Sequence, residues 1–169
     1  MHTWSKMRYK LENEYLAEPL KGHIRYFVCS YNKCPDHYGR AAILFDGKEV
    51  IEGSYWEQWV NFHMLSEEER RGRTFICEDG RAPDGVDVKY GMFDKQDFYN
   101  SFNEFDNQSI EKSLESDNML IRIFAVLDRR VGRRRLLRMA KMKQGIGNEP
   151  EVLRKFYDIR MEAEKRLGK

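Results

Sequence analysis

The chain has 169 residues and a mass of 20.3 kDa, with 30 Lys and Arg against 28 Asp and Glu, a formal charge of +2. Aromatics are 13% and charged residues 34%, too aromatic for a disordered chain and too polar for a membrane bundle. The length suits one domain over 1–169, and the near-neutral total argues against a protein that coats nucleic acid.

Residues 5–18 predict a helix, because Met7, Leu11 and Tyr15 recur every four residues and Pro19 stops the run. Residues 23–31 are β-branched and aromatic, as a strand requires. Arg40 to Phe45 gives a second strand, and Asp46-Gly47 a two-residue hairpin whose residues both tolerate positive φ. Lys48 to Gly53 completes a three-stranded antiparallel meander over about 23–53. Ser54-Tyr55-Trp56-Glu57 has the form of a capping box. It opens a helix with Trp56, Trp59, Val60, His63 and Met64 on one face, ending near Arg71-Gly72 and suited to cover the sheet. Residues 72–90, rich in glycine, read as a variable loop.

From Asp94 the pattern is helical to 168. Phe98, Phe102 and Phe105 mark a buried stripe continuing to Ile110 and Leu114. Met119 to Leu127 is apolar nearly all round, as a central buried helix is. Arg133 to Lys143 reads as a basic helix with Leu136, Leu137 and Ala140 inward. The last helix, opened by Asn148-Glu149-Pro150-Glu151, carries Val152, Phe156, Ile159, Ala163 and Leu167 inward. The fold class is α+β: a small antiparallel sheet packed with a largely helical remainder.

No run approaches the ~18 apolar residues of a membrane span, and no apolar signal core follows the N-terminal residues. Cys29, Cys34 and Cys77 are an odd number, which suits free thiols in a reducing compartment. A cytoplasmic protein without a membrane partner is the expectation.

The charge of +2 hides an asymmetry. Residues 1–117 sum to −7, residues 118–143 to +8 and residues 144–169 to +1. The basic block contains Arg129, Arg130, Arg134 and Arg138, whose guanidinium groups pair bidentately with carboxylate or phosphate. Arg130 with Arg134, or Arg134 with Arg138, would share a face if the helix is continuous. The block either holds an anion or is neutralised by residues 41–117, which sum to −10.

Asp36, His37 and Arg40 are the candidates for acid–base work, since a carboxylate can orient an imidazole; they equally suit a hydrogen-bonded turn. Cys29, Cys34 and His37 are the nearest approach to a metal set, with a spacing that matches no strong zinc signature. No Gly-x-Ser-x-Gly, His-Glu-x-x-His or phosphate-binding glycine loop occurs, so no cofactor is expected.

Thr3-Trp4-Ser5-Lys6, Pro35-Asp36-His37-x-Gly39-Arg40-Ala41 and Asp46-Gly47-Lys48-Glu49 carry a resemblance, with Asn107-Gln108-Ser109-Ile110-Glu111 and Leu127-Asp128-Arg129-Arg130-Val131-Gly132. The chain resembles a small uncharacterised family of bacterial proteins of about this length. The resemblance implies a bacterial cytoplasmic protein and supplies no chemistry. The leading expectation is a non-enzymatic binding protein, its partner a protein or a polyanion. The alternatives are an enzyme acting on a phosphorylated or nucleotide-like substrate, and nucleic-acid binding by residues 129–143.

Overall fold

The computed structural model describes residues 3–30, 39–54, 66–70, 93–143 and 151–167. Helix α1 (Trp4–Tyr9) widens into a π-helical segment, Lys10–Tyr15, where Leu16 N–H reaches back five residues to Leu11 C=O at 3.2 Å. A 3₁₀ turn, Glu18–Leu20, leads into strands β1 (Ile24–Ser30), β2 (Gly39–Phe45) and β3 (Lys48–Ser54). The sheet is antiparallel in the order β1-β2-β3. Asp46 (φ 49) and Gly47 (φ 77) form the expected tight turn. The register shifts between Ile43 and Leu44, so Val50 is the extra residue on β3. The helix expected from Ser54 falls mostly outside the described residues, as does the loop 72–90; Glu67–Arg70 is a helical turn.

Edge strand β1 is blunted by the π-helical segment. The buried Glu12 carboxylate accepts Tyr26 N–H at 3.0 Å, Arg8 Nε at 3.1 Å and Arg25 Nη1 at 2.9 Å. A backbone donor that would otherwise invite another strand is thus satisfied inside the chain.

Helix α2 (Lys95–Asn107) begins in a capping box, in which Asp94 accepts Asp97 N–H at 2.8 Å and Asp97 accepts Asp94 N–H at 3.0 Å. The phenylalanine stripe does not continue unbroken: Ser109 caps a separate helix, α3 (Ile110–Glu115), accepting Lys112 N–H at 3.3 Å. Asn118 caps α4 (Met119–Leu127), all of whose residues are buried except Arg122. Helices α5 (Arg133–Lys143) and α6 (Glu151–Leu167) follow.

One cluster of buried side chains runs from Met7 to Ala163 and unites the inner face of the sheet with the helices. At its centre Phe124 of α4 meets Phe98 edge-on at 5.3 Å, Phe105 at 5.6 Å and Tyr26 of β1 at 6.0 Å. Gly53 lies so close under Phe93 that a Cβ there would come within 2.1 Å of the Phe93 carbonyl oxygen. The inner stripe of α6 includes Phe156 and Ala163 as expected, but also Leu153, Tyr157 and the buried Arg160. Among the described residues no helix is long and apolar enough to cross a membrane.

Candidate functional site

The basic block folds into a corner. Helix α4 ends at Leu127, residues 128–132 turn, and α5 starts at Arg133. Arg130 therefore does not share a helix with Arg134; Arg134 and Arg138 do share a face, four residues apart.

The turn is fixed from three directions. Leu16 and Asp128 form an isolated antiparallel bridge, with Ala17 N–H on Leu127 C=O at 2.9 Å and Arg129 N–H on Tyr15 C=O at 2.7 Å. Arg160, reaching from α6, donates Nη1 to Leu127 C=O at 3.2 Å and Nη2 to Val131 C=O at 3.1 Å, and pairs with Glu164 at 2.8 Å. Burial pulls the Arg160 guanidinium below its ordinary pKa. Within the turn, the fully buried Asp128 accepts Arg130 N–H at 2.7 Å, Nε at 3.0 Å and Nη2 at 2.7 Å. That hydrogen bonding holds Arg130 above its usual pKa.

Arg130 then lies over two rings, 5.0 Å from Tyr15 and 5.5 Å from Phe105. The Tyr15 hydroxyl donates to Asp106, which also takes Lys10 Nζ at 2.7 Å. Burial first, then the Asp106 hydrogen bond, push the Tyr15 phenol well above the ordinary tyrosine range. This network joins residues about 90 positions apart and has no local sequence signature.

The basic block is neutralised only in part, and differently from expectation. Arg130 is held by Asp128 of its own turn rather than by residues 41–117, while Arg135 does reach that half, donating to Glu111 at 3.0 Å. The Arg135 hydrogen bond holds the Glu111 carboxyl below its usual pKa. Arg129, Arg133, Arg134 and Arg138 are exposed, and none pairs with a carboxylate among the described residues. Leu137 is not inward as expected but 40% exposed; Leu136 and Met139 take the inner side.

The remaining candidates are dispersed or lie elsewhere. Arg40 of β2 is engaged by Glu49 and Glu52, and its guanidinium sits 5.4 Å from the Phe27 ring. Asp36, His37 and Cys34 lie outside the described residues; Cys29 is a half-buried free thiol. Among the described residues no three His, Cys, Asp or Glu side chains are placed to hold a metal ion. A cavity of about 190 Å³ opens between the 3₁₀ turn and α6, walled by Pro19, Phe45, Ile159 and Ala163. Its polar lining is already engaged, His23 with Asp46 at 2.6 Å and Glu162 with Arg166 at 2.7 Å. The open arginines of the corner are thus the better site.

Residues 3–161 match the model of the SF0329 protein family. No curated protein and no solved structure matches the chain.

Proposed function

The chain belongs to the SF0329 protein family, and we propose that it is a non-enzymatic binding protein that holds an anionic partner on the corner formed by Arg129 and the open face of α5. The observation that carries this reading is the division of labour among neighbouring arginines. Asp128 and Glu111 engage Arg130 and Arg135, while Arg129, Arg133, Arg134 and Arg138 stand exposed with no carboxylate among the described residues. The three clamps on residues 127–132 give these side chains a fixed base, which lowers the ordering cost of binding. The same proposal places the protein in a bacterial cytoplasm, a setting its odd set of three cysteines suits.

The test is fluorescence anisotropy of a labelled polyglutamate at low salt, repeated as salt is raised. Arg134→Ala with Arg138→Ala should weaken binding about tenfold or more while the melting temperature holds. Binding should fall steeply with salt, because exposed charges are screened beyond about 10 Å at 0.1 M. Failure to bind polyglutamate or a nucleic acid at low salt would overturn the reading.

A further inference from the structure

We infer that the partner on this corner is an acidic protein segment carrying an apolar side chain between its carboxylates, with Leu137 of α5 as the apolar contact. The inference rests on the anion-binding reading above and deepens it. At about 100° per residue, Leu137 lies on the helix surface between Arg133 and Arg134, with Arg138 beside Arg134, while Leu136 and Met139 turn inward. The exposed face is therefore an arginine surface around one leucine, and Leu137 is 40% exposed. A phosphodiester backbone would supply charge to the arginines and nothing to Leu137. A protein segment supplies both, and arginine beside an apolar contact is the composition of interface centres.

The start of α5 adds an independent argument. Its first turn holds Arg133, Arg134 and Arg135 and no acidic residue, although the positive end of a helix favours Asp or Glu there. Helix α2 shows the alternative, with Asp94 and Asp97 capping its first turn. The arginines are placed against the stability of their own helix, and carboxylates from a partner would reverse that conflict. Carboxylate pairing is already the chemistry of this corner in Arg135–Glu111 and Arg130–Asp128.

The experiment uses the full chain and four labelled probes: a helical peptide of about 20 residues with Glu flanking a single Leu, the same peptide with Ser for Leu, and single-stranded and duplex oligonucleotides of matched charge. The Leu peptide should bind tightest, at least about tenfold tighter than the Ser peptide. Leu137→Ser should erase that difference and leave the Ser peptide unaffected. Arg133→Glu with Arg134→Glu should abolish peptide binding while raising the melting temperature. Tighter binding of an oligonucleotide, or equal binding of the two peptides, overturns the inference and leaves the anion-binding reading standing. A lower melting temperature in the double Glu variant also overturns it, since the arginines would then be structural. Failure of all four probes overturns the inference together with the reading beneath it.

Discussion

Arg129 and Arg130 are adjacent in sequence and opposite in fate. Arg130 is folded back onto a carboxylate with no exposure, whereas Arg129 contributes its backbone N–H to the bridge with Tyr15 and leaves its side chain in solvent. Arg130→Ala strands Asp128 in the interior with only backbone partners. The usual cost of breaking a buried pair is discounted because Arg130 is itself 39% exposed, giving about 2 kcal/mol. Arg129→Ala should stay within about 0.5 kcal/mol of the parent, and equal melting losses in the two variants would contradict the assignment. Tyr26 gives a residue-scale prediction with a pH sign. Burial, followed by Glu12 and Asp128, pushes its phenol far above the ordinary range. Its contribution is therefore fully present below about pH 10, the unfolded tyrosine value, and is lost as pH rises toward the folded value. Tyr26→Phe should melt less steeply with pH than the parent between pH 9 and 11; parallel slopes would refute this.

Between elements, the contrast is between helix starts made for stability and one that is not. The Asp94–Asp97 box should be worth about 1 kcal/mol, so Asp94→Ala should lower stability by that amount, read by urea denaturation, and a neutral result would show the box to be idle. This start was legible in sequence, as were the Asp46-Gly47 turn and the buried α4, because each rests on local backbone chemistry. Two features of the helices depart from the pattern the sequence predicts. The apolar spacing from Phe105 to Ile110 is five residues, out of step with a 3.6-residue period, and Ser109 before Ile110 is a cap; together they end α2 and start α3. Leu136 and Leu137 are about 100° apart on α5, and Met139, on the side of Leu136 away from Leu137, centres the inner face there and leaves Leu137 exposed. The Lys10–Tyr15–Asp106 network was not legible at all, since it depends on how the segment before the sheet meets the end of α2, about 90 residues further along the chain.

At the scale of the whole molecule, Arg160 ties the core to the arginine corner. It sits on the inner stripe of α6, four residues after Phe156 and three before Ala163, so its position was readable although its charge argued against burial. Its planar fork spans two carbonyls on either side of the turn, Leu127 and Val131, which a lysine ammonium could not match as a rigid pair. Arg160→Met keeps an apolar stem but leaves both carbonyls and Glu164 without the guanidinium. The expected loss is about 3 kcal/mol, or roughly 6–12 °C in melting temperature for a chain of this size. The corner should loosen with it: at a temperature where the variant remains folded, its affinity for labelled polyglutamate should fall, although Arg160 is only 2% exposed and cannot touch a ligand. Arg134→Ala with Arg138→Ala should show the reverse pattern, weak binding with intact stability. An Arg160→Met protein that melts early yet binds as tightly as the parent would show that the geometry of residues 127–132 is set by the Leu16–Asp128 bridge and the Asp128–Arg130 pair alone.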